Sequence, residues 1–177
     1  MRRLLTLTLA FGMLAAAARL TAQQPPIKPG PEHEKLKLAE GTWDVTFSAK
    51  GNEYKGKATF KIGLNGLWLL EHFTADFDGM PFEGRGATSY DPAKKKYVDV
   101  WIDSMSTRPM VSEGTYDDAT KTITMNGNMP LPDGKEMKVT MTTVLKDADT
   151  KVFTMNGAGP DGKQIEMFQI TYKRQAK

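Results

Sequence analysis

The sequence predicts an all-β fold, an antiparallel up-and-down β-barrel of about ten strands with one short helix in front of it. Three observations predict it. From Gly41 onward, apolar and polar residues alternate with a period of two in short, evenly spaced runs, the mark of half-buried strands. The runs are separated by hairpin-length turns rich in Asp-Gly and Asn-Gly, and only antiparallel strands can be joined by so few residues. A twisted sheet of about ten strands tends to curl or split, and closing it removes both exposed edges. A two-sheet sandwich is the alternative; closure is the expectation.

The first stretch stands outside that fold. Residues 1–22 have the three-part grammar of a secretory signal peptide: a basic start at Met1-Arg2-Arg3, an apolar run over 4–18, and Leu20-Thr21-Ala22 before Gln23 as a small-residue cleavage site. The run is shorter than the roughly 20 residues of a spanning helix, and Arg19 closes it. The expectation is therefore an exported protein, periplasmic or secreted, with no stable membrane anchor after cleavage. The chain has 24 basic and 21 acidic residues, and losing Arg2, Arg3 and Arg19 leaves 21 of each. A mature chain without net positive charge offers nothing for nucleic acid as a partner. The absence of cysteine rules out disulfides, thiol nucleophiles and thiolate metal sites.

Residues 23–31 are a Pro-rich linker, and 32–177 form a single domain. Proline and acids at the start of 31–40 suit a short helix, with Leu36, Leu38 and Ala39 able to face a core; its expected role is a lid or plug. Strands are expected over 42–48, 54–62, 67–77, 81–90, 96–103, 111–116, 121–128, 135–146, 151–158 and 163–174. Lys50-Gly51, Asn65-Gly66, Asp78-Gly79 and Pro160-Asp161-Gly162 supply turns, because glycine accepts positive φ and proline presets a turn. Two turns share one pattern, Tyr90-Asp91-Pro92-Ala93-Lys94-Lys95 and Tyr116-Asp117-Asp118-Ala119-Thr120-Lys121, read as recurring hairpin chemistry.

Gly41-Thr42-Trp43, opening the first strand after a short helix, resembles the Gly-x-Trp signature of lipocalins and their calycin relatives. That resemblance implies a lipocalin-like barrel whose Trp packs at the closed end under a basic residue of the last strand. Phe168, Ile170 and Tyr172 alternate inward and bring Arg174 to the same face, so Arg174 is the expected partner of Trp43, in a cation–π stack worth about 0.5–2 kcal/mol. Pro31-Glu32-His33, Gly41-Thr42-Trp43-Asp44-Val45, Gly79-Met80-Pro81-Phe82-Glu83-Gly84, Trp101-Ile102-Asp103-Ser104-Met105-Ser106-Thr107 and Val111-Ser112-Glu113-Gly114-Thr115-Tyr116-Asp117 resemble a bacterial exported family of unknown function, number fifteen-seventy-nine. That resemblance supports the fold class and implies no activity.

Chemistry is sought first at 101–109, a strand end and turn without glycine and rich in hydrogen-bonding side chains. It reads either as a polar rim that orients a ligand, with Trp101, Asp103 and Arg108, or as a loop whose Asp103 and hydroxyls cap backbone groups, the favoured alternative. In the strand before it, Val98, Val100 and Ile102 share one face, and Tyr97, Asp99, Trp101 and Asp103 the other. Unpaired buried charge is costly, so the valines are expected inside and the carboxylates in water. His72 is a candidate cavity residue, with a hydrogen-bonded wall position as the plainer role. A Ser104–His72–Asp103 triad lacks a nucleophile elbow. Haem would need His72 or His33 as its ligand. Met125, Met137, Met141 and Met155 alternate inward; thioethers could take Cu(I), but a deformable apolar lining is the expectation. No metal and no cofactor is therefore called for.

The leading expectation is a non-enzymatic protein that binds a small hydrophobic or amphipathic molecule inside the barrel, with His72, Trp101, Asp103, Arg108, Met125 and Met141 as candidate contacts and Trp43 and Arg174 as structural residues. Two rivals stand beside it. A hydrolase or isomerase would need two of Asp103, His72 and Glu113 in one cleft. A structural or envelope-interaction protein would carry a broad apolar patch on its outer face.

Overall fold

The fold was read from a computed structural model that describes residues 27–159 and 162–176. The signal-like segment, residues 23–26 of the Pro-rich linker and the Pro160-Asp161 pair lie outside the described residues.

The described chain begins with a short helix, α1 (Pro31–Leu36), that continues as one 3-10 turn over Lys37–Ala39. Ten strands follow: β1 (Gly41–Ala49), β2 (Asn52–Gly63), β3 (Trp68–Phe77), β4 (Met80–Asp91), β5 (Lys96–Asp103), β6 (Met110–Asp117), β7 (Thr122–Pro130), β8 (Glu136–Asp147), β9 (Thr150–Ala158) and β10 (Gln164–Arg174). Each pairs antiparallel with its sequence neighbour, and β1 pairs with β10, closing the barrel.

The turns form by the chemistry their residues dictate. Lys50-Gly51 and Asp78-Gly79 both have positive φ at each central residue (48° and 83°, 56° and 86°), as a two-residue hairpin with the native strand twist requires. The two related turns are built alike. Asp91 Oδ1 accepts from the Ala93 and Lys94 amides, Asp117 Oδ1 from those of Ala119 and Thr120, and each turn ends on a left-handed lysine, Lys95 or Lys121.

Alternation around the closed sheet gathers one core. Trp43, Val45, Ala58, Phe60, Leu69, Phe73, Tyr97, Met110, Met125, Val139, Met141, Met155, Ile170 and Tyr172 are buried together, with Phe47, Trp101, Phe153 and Phe168 packed against them. The helix lies across one end, so that the turns β2–β3, β4–β5, β6–β7 and β8–β9 share its end and β1–β2, β3–β4, β5–β6 and β7–β8's loop lie opposite. Leu36 is buried as expected, whereas Leu38 is half exposed. The second buried residue of the helix is His33, whose Nδ1 accepts from the Gly30 amide (3.0 Å) and whose ring meets Tyr90 edge-on.

The helix end is sealed by Trp43 and Arg174. Trp43 is fully buried and its indole Nε1 donates to Ala39 O (2.9 Å). The Arg174 guanidinium lies 4.0 Å from the Trp43 ring centre. It also donates to the carbonyls of Leu38, Glu40 and Ala148, stitching helix, first strand and the β8–β9 turn together. Gly41 stands where a Cβ would meet Arg174 Nη1 at 2.7 Å, and its φ of +133° is one that side chains rarely allow. On the far side of the lid, Lys35 bridges to Asp118 in the β6–β7 turn (2.8 Å).

Candidate functional site

A cavity of about 520 Å³ runs through the barrel, inside the roughly 300–1,000 Å³ of small-molecule sites. Its wall has two zones. Toward the end without the helix stand Phe47, Phe77, Phe82, Met129, Met155 and Phe168. Their rings form a continuous set: Phe47 stacks on Phe168 (4.7 Å between centres) and meets Phe77 (5.1 Å), which meets Phe82 (5.3 Å). Several of these rings are only partly buried, so this end is the mouth. Toward the helix the wall carries ionisable groups, Glu71, Asp99 and Lys151, among Phe60, Tyr97 and Tyr172.

Lys151 enters the site because β9 alternates Lys151, Phe153 and Met155 on its inner face. It is only 5% exposed, and its Nζ lies over the rings of Phe60 (3.3 Å), Tyr172 (4.4 Å) and Trp43 (4.9 Å). Burial pulls its pKa down to about 7; the nearby Glu71 charge opposes that shift and Arg174 adds to it. Glu71 lies between Leu69 and Phe73 on the inner face of β3, paired in register with Phe60. Burial pushes its carboxyl up to about 7, with Lys151 opposing and Asp99 reinforcing the rise. Its Oε1 is sealed from solvent and has no hydrogen-bond partner. Gly86 makes room for this side chain, since a Cβ there would come within 3.3 Å of both Glu71 Oε2 and the Trp101 ring. Asp99 accepts from Thr88 Oγ1 (2.7 Å), which holds its pKa down against the larger effect of burial, and the carboxyl rises to about 6.

The inner face of β5 corrects the sequence expectation. Tyr97, Asp99, Trp101 and Asp103 line the cavity, while Val100 and Ile102 are exposed. The cost of burying the carboxylates is offset by partners: Thr88 for Asp99, and for Asp103 the Trp101 indole (2.9 Å) and the Met105 amide (2.8 Å). The Trp101 ring lies flat against Gly84, where a Cβ would approach it to 2.2 Å.

The expectation for His72 is also corrected. It faces outward, is 41% exposed, and its Nε2 lies 3.2 Å from Glu83 Oε1. The reason is parity: Glu71 takes the inner position, and neighbours in a strand point to opposite faces. His33 does not line the cavity either, so neither histidine is placed to ligate a haem inside the barrel. The enzyme set of Asp103, His72 and Glu113 does not assemble, because Glu113 pairs outside with Lys94 and Lys96. Among the described residues, no group of three His, Asp or Glu side chains could hold a metal ion.

Arg108 borders the mouth, but its guanidinium donates to the carbonyls of Leu131, Gly134 and Lys135 and so staples the β7–β8 loop. Within 101–109, Ser106 Oγ donates to Arg108 O and accepts from Arg108 N, and Ser104 Oγ accepts from Glu83 N. Met125 and Met141 face the cavity on paired strands. Glu71 and Lys151 were missed in the sequence, although their phase with Leu69 and Phe73, and with Phe153 and Met155, carried the signal.

The outer wall holds a second feature. Leu70, Ala87, Val100 and Val111 are paired in register across β3–β6, with Ile102 beside them, and Ile102 and Val111 are 52% and 54% exposed.

Among solved structures, the barrel is similar to Rv2717c from M. tuberculosis, at 15% identity and a TM-score of 0.63 over 83% of this chain and 99% of that one; this is a likeness of fold. A looser likeness is to a de novo designed fluorescence-activating β-barrel, at 19% identity and a TM-score of 0.44 over 79% and 96% of the two chains. No curated protein matches the chain. A family model matches residues 28–174, nearly all of the barrel and its lid, and the chain belongs to the family described as "Protein of unknown function (DUF1579)".

Proposed function

We propose that this protein is an exported binder of a small hydrophobic or amphipathic molecule, held inside the barrel. One observation carries the reading: a cavity of about 520 Å³ walled by aromatic and methionine side chains and wide enough at one end to leave its rings partly exposed. An apolar cavity of this size gains by covering its wall, at about 25 cal/mol per Å² removed from water. The methionines let the wall adapt to more than one ligand shape. Export rests on the signal-like residues 1–22 and suits a chain without cysteine.

The test is uptake of diphenylhexatriene, an apolar dye that fluoresces when withdrawn from water. A saturable rise with one dye per chain by native mass spectrometry is expected. Met141→Trp, which adds bulk to the cavity wall, should abolish the rise while thermal unfolding by circular dichroism stays cooperative. No saturable uptake, or uptake unaffected by Met141→Trp in a folded variant, contradicts the proposal.

A second reading, an envelope-interaction protein, is favoured by the outer apolar row of Leu70, Val100, Ile102 and Val111. It predicts that the chain self-associates in sedimentation at rising concentration and that Ile102→Glu with Val111→Lys keeps it monomeric. A wild-type chain that is monomeric throughout removes it.

A further inference from the structure

Resting on the reading of the interior as a ligand cavity, we propose that Glu71 anchors a hydrogen-bond-donating head group, a hydroxyl or an amine, on an otherwise apolar ligand that enters head first.

The polarity of the cavity sets the direction. Strands β3, β5 and β9 all start at the helix end, and Glu71, Asp99 and Lys151 are the fourth, fourth and second residues of those strands. The mouth, by contrast, presents the rings of Phe47, Phe77, Phe82 and Phe168, and its charged groups, Asp103 and Arg108, are already bonded to Trp101, the Met105 amide and loop carbonyls. A molecule with one polar end therefore matches the wall only with that end inward.

The hydrogen-bond inventory sets the chemistry of the head. The carboxyls of Asp99 and Asp103 and the Tyr97 hydroxyl, which also line the cavity, have partners within the protein. Asp99 has Thr88, Asp103 has Trp101 and the Met105 amide, and the Tyr97 hydroxyl donates to Glu32 O (3.1 Å). The Lys151 ammonium rests on three ring faces. Glu71 differs from these: it lines the cavity, and its Oε1 is a buried acceptor with no hydrogen-bond partner. A buried acceptor left unpaired costs about 1–3 kcal/mol, so a ligand that brings a donor gains what one without it forgoes.

Charge argues against an acid as the head. The charges acting on Glu71 are those of Asp99 and Lys151, two carboxyls to one amine at this point of the wall, and a third carboxylate placed there would stand against Glu71 and Asp99. A neutral hydroxyl meets no such repulsion, and an ammonium is attracted. Gly86 accommodates the carboxyl, since a Cβ there would come within 3.3 Å of Glu71 Oε2.

The experiment displaces diphenylhexatriene, a probe with no donor of its own, by ligands that share one apolar body: 1-decanol, decylamine, methyl decyl ether and decanoate. Decanol and decylamine should displace the dye at concentrations at least tenfold lower than the ether. Glu71→Leu should remove that advantage while still binding dye, and Glu71→Gln, which keeps an acceptor oxygen, should restore it for decanol. Equal displacement by decanol and its ether, or decanoate as the strongest competitor, overturns the anchor and leaves the cavity standing. Failure of the wild-type chain to take up dye at all removes both.

Discussion

The two ends of the barrel are built from the same inward alternation of aromatic residues, yet one is a plug and the other a mouth. At the helix end, Trp43 is fully buried, and Arg174 covers its face while bonding three carbonyls from the lid and the β8–β9 turn. At the other end, Phe47, Phe77, Phe82 and Phe168 touch one another and stay partly exposed. The difference lies less in the strands than in what is laid over them. A cation with a planar fork can bind a ring and several carbonyls together, and it turns a ring of strands into a closed floor. The open rim is left as surface for a ligand to cover.

The largest effect expected from this contrast is on stability. Trp43→Ala should cost about 3–5 kcal/mol in chemical denaturation, as for other fully buried aromatic residues, whereas Phe82→Ala at the rim should cost no more than about half of that. Equal losses at both ends would erase the distinction. Next comes Arg174→Lys, which keeps a cation near the ring but loses the fork. A loss of about 1–3 kcal/mol is expected, with faster hydrogen exchange in the lid at 36–41. A neutral substitution would show that the floor is held by packing alone.

The ionisable groups near the floor give a pH signature. Glu71 and Asp99, with pKa values raised to about 7 and about 6, keep protons in the folded protein that the unfolded chain has released, so stability falls as pH rises from about 4 to 7. Lys151, lowered to about 7, has lost a proton that the unfolded chain still binds, so stability rises again from about pH 7 toward 10. A minimum near pH 7 is expected in denaturation midpoints. Glu71→Gln should shrink the falling limb and Lys151→Met remove the rising one; a profile with its maximum at pH 7 would contradict the burial of these groups. The smallest expected effect is at the rim. Arg108→Ala should cost about 0.5–1.5 kcal/mol and speed exchange at 131–135, with dye affinity changed by less than threefold.

The strands were legible because alternation repeats ten times and each turn names itself, as Lys50-Gly51 and Asp78-Gly79 do. The floor was legible through Trp43 and the phase of Arg174 with Tyr172. The cavity wall was less so, and the reason is specific. In β5 both faces carry apolar residues, and the rule that valines go inside fails because Val100 and Ile102 belong to an outer apolar row. In β3 Leu69 and Leu70 compete in the same way, which hid the exchange of Glu71 for His72. Lys151 follows its strand's phase, but lysine is ordinarily a surface residue. Its partners, Phe60 and Glu71, come from strands on another part of the wall, a proximity that only closure of the sheet creates.

The most direct test follows the methionine methyl groups, labelled with carbon-13, as 1-decanol is added. Occupation of the interior predicts saturable shifts for Met125, Met141 and Met155, which line the cavity, and none for Met80, which is exposed and is not part of the cavity wall. Shifts confined to Met80, or no shift at any methyl group, would contradict a ligand within the barrel.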